Sequence, residues 1–358
     1  MKKIDKTLLI SVIILSLFGL LMIYSSSSIW SEYKFNDPYK YLKSQSIFLL
    51  IGYSIIHITC KIPNTIYKKY SNIILISCII LLILVLIPGI GNVRNGSRSW
   101  FGIGSFGIQP SEFTKLGLII FTSKYLSNNK IKSIKKSVLP ILIILFFIFG
   151  LIMLQPDLGT GVIIIISIIS LLFISGVNIR FFLNLGLIGL FGIIALVLIA
   201  PYRIKRITSY INPWTDPLGS GFQIIQSLYA IGPSGLLGSG LGNSVQKHFY
   251  LPEPQTDFIF SIISEELGFM GVIIVSFLFL TIIYQGFKIS LKQEDNFKKY
   301  LSYGITFSIA FQTILNLMVV IGLIPVTGVT LPFLSYGGSS LIVSMIEIGI
   351  LLNISKSL

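Results

Sequence analysis

The chain has 358 residues, 53% of them hydrophobic and only 11% charged, with a mean hydropathy of +0.88. A soluble domain carries about 25% charged residues, so this composition excludes one and predicts an all-α, polytopic integral membrane protein. The net charge of +14 would suit nucleic acid, but the cations are spread in a pattern that belongs to a membrane.

Crossing ~30 Å of hydrocarbon takes roughly 20 mostly apolar residues, and runs of this kind predict ten spans within one membrane domain over residues 1–358. The first, Leu8 to Tyr24, follows Lys2, Lys3 and Lys6 as a signal peptide would. It exceeds the usual apolar core of such a peptide and no small-residue cleavage site follows, so a retained helix is expected. An outer loop, Ile29 to Gln45, leads to the second run, Ser46 to Cys60, and a lysine-bearing link to the third, Asn72 to Ile87. The next outer loop, Gly89 to Pro110, holds Arg94, Arg98 and Trp100 and enters the fourth run, Phe113 to Leu126, through QPSEFTK. The fifth and sixth runs, Leu139 to Leu154 and Gly161 to Ile174, meet at the tight turn LQPDLGTG, and the seventh is Phe182 to Ala200.

Residues 201–256 form a large outer loop, too long for an unstructured connection. Within it GFQIIQSLYAI predicts a short amphipathic helix from Phe222 to Ile231, lying at the membrane surface. The eighth run, Phe258 to Phe287, opens straight from LPEPQTD and carries Glu265 and Glu266. The ninth and tenth, Leu301 to Leu323 and Leu341 to Ile354, flank TLPFLSYGGSS. Its paired glycines permit close backbone approach, and a re-entrant loop there must be buried in protein or line a wet cavity.

With the N-terminus placed inside, 17 of the 27 cations lie on the cytoplasmic side, nine lie outside and Lys115 falls within a span. This is the bias of Lys and Arg toward cytoplasmic loops, and it puts both termini in the cytoplasm. The outer loops hold Trp30, Trp100 and Trp214 and most of the Gly and Pro, so chemistry is expected on the outer face. Cys60 and Cys78 fall in or beside spans and imply no disulfide. His57 and His248 have no metal-ligand partner at standard spacing, and no nucleotide fingerprint is present.

Ionisable groups inside spans are costly and are functional candidates by default. Asp257 reads in two ways: as the N-cap of the eighth helix, or as a carboxylate at the water–lipid border, where partial desolvation increases basicity. Glu265 and Glu266 lie about 12 to 14 Å deeper on that helix, too far to act with Asp257 as a carboxylate pair, and are expected to pair cations or hydroxyls inside the bundle. Glu112 and Lys115, three apart, can form an internal ion pair, or Lys115 can meet an anionic head group. Asp157 caps the sixth helix or faces a cavity.

Four stretches carry a resemblance: GSRSWFGIGSFGIQPSEFTK, QPDLGTG, the loop from NPWTDPLGSG through LPEPQTDFIFSIISEELGF, and PVTGVTLPFLSYGGSSL. In this order and at these helix borders they resemble the SEDS family (shape, elongation, division and sporulation), and its division and sporulation branch more than its elongation branch. The resemblance implies a peptidoglycan glycosyltransferase of the bacterial cytoplasmic membrane. Such a protein polymerises lipid II, an undecaprenyl-pyrophosphate-linked disaccharide peptide, beside a class B penicillin-binding protein transpeptidase. It also implies that the family's essential acid falls on Asp257 and that Glu112, Lys115 and Asp157 line a central cavity.

A weakly basic diphosphate leaving group needs one general base and no acid. Cations must stabilise its charge, and Lys43, Arg98, Lys115, Arg203, Lys205, Arg206 and Lys247 are candidates. No cofactor is specified, and a divalent cation is compatible with the scheme. Two departures touch the phosphate contacts: Lys43, Ser44 and Gln45 stand where the family often has Lys-Arg-Gln, and Ser99 separates Arg98 from Trp100. A lipid II flippase using the cavity charges, and a non-catalytic scaffold for the transpeptidase, are the rival expectations.

Overall fold

The computed structural model describes residues 4–94, 96–103, 106–129, 134–199, 204, 207, 208 and 210–358. Among them ten apolar helices match the ten predicted runs: α1 (Lys6–Phe35), α2 (Lys40–Thr59), α3 (Asn64–Leu86), α4 (Pro110–Asn128), α5 (Leu139–Met153), α6 (Leu158–Ile174), α7 (Ile179–Ile199), then, after a short α8 (Phe222–Ile231), α9 (Ile259–Leu291), α10 (Asn296–Val320) and α11 (Gly338–Ser355). Seven helical segments among the described residues are long and apolar enough to cross a membrane unaided; α2, α4 and α6 are shorter or more polar and pack between them. The short helix expected in the large loop is α8, with the expected bounds.

Side chains sort as they do in lipid. α3 turns Ile73, Ile76 and Ile80 outward and buries Leu75, Cys78 and Leu82, while Ser25, Ser26, Ser27 and Ser31 of α1 are buried. Small residues let helices approach, as membrane interfaces favour: a Cβ on Gly117 of α4 would stand 3.0 Å from Cys78 Sγ of α3. α2 packs along α11, α3 along α4, α1 along α2 and α9, and α10 along α9, α4 and α6. Both cysteines are free and buried.

Three features depart from the sequence expectation. α1 does not stop near Tyr24 but runs to Phe35, where Asn36 ends it in the left-handed region (φ 53°). Its serine run stays helical because protein, not lipid or water, covers it. Second, the loop before α4 folds as a three-stranded antiparallel sheet, β1 (Asn92–Arg94), β2 (Ser97–Ile103) and β3 (Phe106–Ile108). Arg94 pairs with Ser97, and the Asn-Gly dipeptide between them is a hairpin signal. The Ser339 hydroxyl, at the start of α11, donates to the Gly107 carbonyl and accepts from the Gln109 amide, each at 2.9 Å, so the sheet is fastened to the helix bundle.

Third, α9 is two helices. Gly268 (φ 63°, ψ −159°) breaks it in a backbone region open essentially to glycine alone. The N-terminal piece, residues 259–267, is a half-helix of its own. The first eight residues of TLPFLSYGGSS form a non-helical wedge, with Leu331, Phe333, Leu334 and Ser335 buried in protein, and Gly338 opens α11.

Candidate active site

The segment before α9 stands out because its backbone is irregular and yet held from several sides. Phe249 and Glu253 both adopt left-handed backbone (φ 67° and 45°), at a cost of order 1–3 kcal/mol each that persists only where surroundings enforce it. Here the ring of Phe249 packs edge-on against Trp30 and Tyr33 at the end of α1, with centroids 5.6 and 5.3 Å away. The Gln255 carbonyl accepts from the Tyr336 amide of the wedge at 2.8 Å.

Asp257 is half-buried in the last turn of this segment. The N-cap of α9 is Phe258, which makes no side-chain cap bond, so Asp257 stands one residue before the capping position. Its Oδ1 accepts from the Thr256 hydroxyl at 2.9 Å. Its backbone carbonyl accepts from Asn316 Nδ2 of α10 at 2.7 Å, and the same Nδ2 donates to the Val329 carbonyl at 2.7 Å. Asn316 therefore ties the aspartate's backbone to the wedge.

One turn deeper on α10, Gln312 continues the polar path. Its Nε2 donates to the Thr330 carbonyl at 3.0 Å, and its Oε1 accepts from Lys115 Nζ at 2.7 Å. Lys115, 2% exposed, also pairs with Glu112 Oε2 at 3.0 Å, so the internal ion pair on α4 exists. Asp157 caps α6 through the Thr160 amide at 3.2 Å. It also accepts from Gln109 Nε2 at 3.0 Å and the Ser111 hydroxyl at 3.2 Å. Burial pushes its carboxyl above the ordinary aspartate value, more than the Thr160 and Ser111 hydrogen bonds hold it down. The structure thus gathers Asp157, Glu112 and Lys115 at the N-terminal end of α4, and Asp257 at the far side of Gln312 and Asn316.

The remaining predicted cations are placed differently. Lys43 is exposed and pairs with Asp37 at 2.9 Å; that hydrogen bond, with the Tyr39 amide, holds the Asp37 carboxyl low. Arg98 is half-buried on β2, and its side chain has no hydrogen bond or ion pair among the described residues. Lys247 is buried and spends its ammonium on Glu266 Oε1, the Gly242 carbonyl and the Ser25 hydroxyl, leaving no donor for a diphosphate in this conformation. Arg203, Lys205 and Arg206 lie outside the described residues. Among the described residues no cluster of His, Cys, Asp and Glu could hold a metal ion.

The family described as "Cell cycle protein", covering FtsW, RodA and SpoVE, matches residues 5–358. The chain belongs to the FtsW/RodA/SpoVE family. It is 52% identical over 354 residues to stage V sporulation protein E of Bacillus subtilis, covering 98% of this chain and 97% of that one. It is 41% identical over 356 residues to the probable peptidoglycan glycosyltransferase FtsW of Trichlorobacter lovleyi, covering 99% and 93%. Among solved structures it is similar to a chain of a peptidoglycan synthase complex described as coordinating polymerization and crosslinking (TM-score 0.80, 30% identity, 99% and 98% covered). The rod shape determining protein RodA of Thermus thermophilus gives a TM-score of 0.74 at 27% identity, with 99% and 97% covered.

In this FtsW/RodA/SpoVE member, sequence reading missed Gln312, Asn316 and Glu347. The first two signal themselves as polar residues four apart in FQTILNL, and so on one helix face. Glu347 sits in the apolar run of α11, 0% exposed, with neither carboxyl oxygen hydrogen-bonded and within electrostatic reach of Lys115 and Glu112. Its signal was a lone carboxylate inside SMIEIGIL.

Proposed function

We propose that this chain polymerises lipid II into peptidoglycan glycan strands at the outer face of the bacterial cytoplasmic membrane, with both termini in the cytoplasm. The observation that carries this reading is Asp257, a half-buried carboxylate at the outer mouth of a half-helix. The family relatives named as peptidoglycan glycosyltransferases support the same chemistry. A partner of the class B penicillin-binding type then cross-links the strands, and the 52% identity to a sporulation protein favours septal or sporulation wall as the setting.

Asp257 takes the proton from the acceptor sugar's 4-hydroxyl while that oxygen attacks the donor's anomeric carbon. The bond from that carbon to undecaprenyl pyrophosphate breaks, and the pyrophosphate leaves with the electron pair. Its low basicity makes a second, acidic carboxyl unnecessary, in keeping with a single carboxylate at this position. The developing diphosphate charge calls for preorganised cations. Arg98, whose guanidinium has no partner among the described residues, suits this role best among the described candidates. Lys115 keeps one of its three donors beyond Glu112 and Gln312, and Arg206 is a further candidate by sequence. Lys43 is the weakest, being already engaged at the surface.

The test is reconstitution of the purified chain with its transpeptidase partner and lipid II in vesicles. Glycan strands resolved on a gel are the expected product. Movement of lipid II between leaflets without polymer would overturn the assignment in favour of transport, and restored cross-linking by the partner without polymer made by this chain would favour a scaffold.

A further inference from the structure

Glu265 and Glu266 have no part in the chemistry above, yet they are set where local physics disfavours them. They close the half-helix 259–267, at whose opposite end Asp257 stands. The C-terminal end of a helix carries partial negative charge, so carboxylates in its last turn are destabilising there. Both are buried, Glu266 to 0% exposure, which adds a desolvation cost. Something must offset these terms, and the contacts show what it is.

Glu265 accepts from the Val245 amide at 2.7 Å and from the Ser244 hydroxyl. Glu266 accepts from the Ser25 hydroxyl of α1 at 2.7 Å and pairs with Lys247 at 3.0 Å. The backbone repeats the pattern. At the Gly268 break the Glu265 and Glu266 carbonyls accept from the Ser239 and Gly240 amides, both at 2.9 Å. The Phe269 and Met270 amides donate to the Gly235 and Leu236 carbonyls at 3.0 and 3.1 Å. The loop thus supplies the partners that a broken helix loses. The approach is close: a Cβ on Gly238 would stand 2.4 Å from the Glu266 carbonyl, and one on Gly268 2.4 Å from the Gly238 nitrogen.

We infer that Glu266 and Lys247, with Glu265 on the loop amides, are positioning residues for the polymerisation reaction: they lock the half-helix to the large outer loop and to α1 and so fix where Asp257 stands. The inference rests on Asp257 acting as the base. The segment from Lys247 to Asp257 is then closed into a ring: Lys247 holds Glu266 at one end of the half-helix, and the chain itself returns to Asp257 at the other. The strained Phe249 and Glu253 lie within that ring, so slack at the Lys247–Glu266 contact is passed to the carboxylate.

Truncating either partner strands a buried charge and risks misfolding, so the test uses near-isosteric changes. Glu266→Gln, Lys247→Met and the double variant are compared with wild type and with Asp257→Asn, each in complex with the transpeptidase partner. Monodispersity and thermal unfolding report the fold, and lipid II polymerisation reports kcat and KM. We expect each single variant to lose about ten- to a hundredfold in kcat, the scale of a ~1 Å misplacement, with KM for lipid II within about twofold. The double variant, with no charge left unpaired, should regain the thermal stability of wild type but not its kcat. Folded single variants with wild-type kcat, or a double variant that recovers kcat along with stability, would overturn the positioning role. Asp257→Asn distinguishes the levels: if it polymerises normally the base assignment fails, whereas if it is inactive while Glu266→Gln is unaffected, only the positioning role fails.

Discussion

Removing Asn316 isolates the contribution of backbone placement to the reaction, because this side chain touches the carbonyl of Asp257 and not its carboxylate. Its single Nδ2 donates two bonds of 2.7 Å, to Asp257 and Val329, and the residue is 0% exposed. Asn316→Ala leaves two carbonyls without their donor. At a net ~1 kcal/mol per hydrogen bond and a further ~1 kcal/mol or more for each group left unsatisfied, the fold should lose about 2–4 kcal/mol. Asn316→Asp should cost more, since a carboxylate would face two carbonyl oxygens. With the tie to the wedge cut, Asp257 shifts relative to the acceptor, and a displacement of about 1 Å carries a rate loss of up to about a hundredfold. Thermal unfolding of the purified variant measures the first effect, and single-turnover polymerisation of lipid II with the partner present measures the second. A variant that unfolds earlier but polymerises at the wild-type rate would refute the reasoning, since Asp257 would then be held independently of Asn316.

Two further outcomes follow from the carboxyls of Asp157 and Glu347. Burial raises the Asp157 carboxyl, so between the unfolded and folded values the native state holds a proton that the unfolded chain has released, and stability falls as pH rises through that window. Asp157→Asn keeps a competent N-cap and should flatten the fall of melting temperature as pH rises above the ordinary aspartate range; an unchanged slope would contradict the assignment. Glu347 has no hydrogen-bond partner among the described residues, and a buried polar group left unsatisfied costs about 1–3 kcal/mol, a cost that an apolar side chain of similar volume removes. Glu347→Leu should therefore raise the melting temperature, and a lowered one would show that its interaction with Lys115 outweighs its desolvation.

What could be read from the sequence follows the range of the interactions involved. Hydropathy located all ten apolar helices, and the alternating polar and apolar residues of GFQIIQSLYAI located α8 to the residue, because these patterns are local. The expectation that Glu265 and Glu266 find cations and hydroxyls was met by Lys247, Ser244 and Ser25. Their partners, however, lie some 20 residues away in the loop and on α1, where no periodicity points. The break at Gly268 was hidden because Gly268 and Gly271 in EELGFMG read alike as small residues at a helix contact, and only the backbone of Gly268, with Gly238 packed against it, shows where the helix breaks. The first span was expected to end at Tyr24, but α1 buries Ser25, Ser26, Ser27 and Ser31 against protein and continues to Phe35. Lys247 looked like a diphosphate contact from its outer-loop address, but in the folded protein its ammonium is already spent on Glu266, Gly242 and Ser25.

The central claim, that Asp257 removes the proton from the attacking sugar hydroxyl, is tested most directly by the polymerisation rate of Asp257→Asn with lipid II and the partner, on protein shown to be folded and partner-bound. The account predicts a loss of about 10²–10⁴-fold, the contribution of a general base. Glycan strands formed at the wild-type rate by that variant would contradict it.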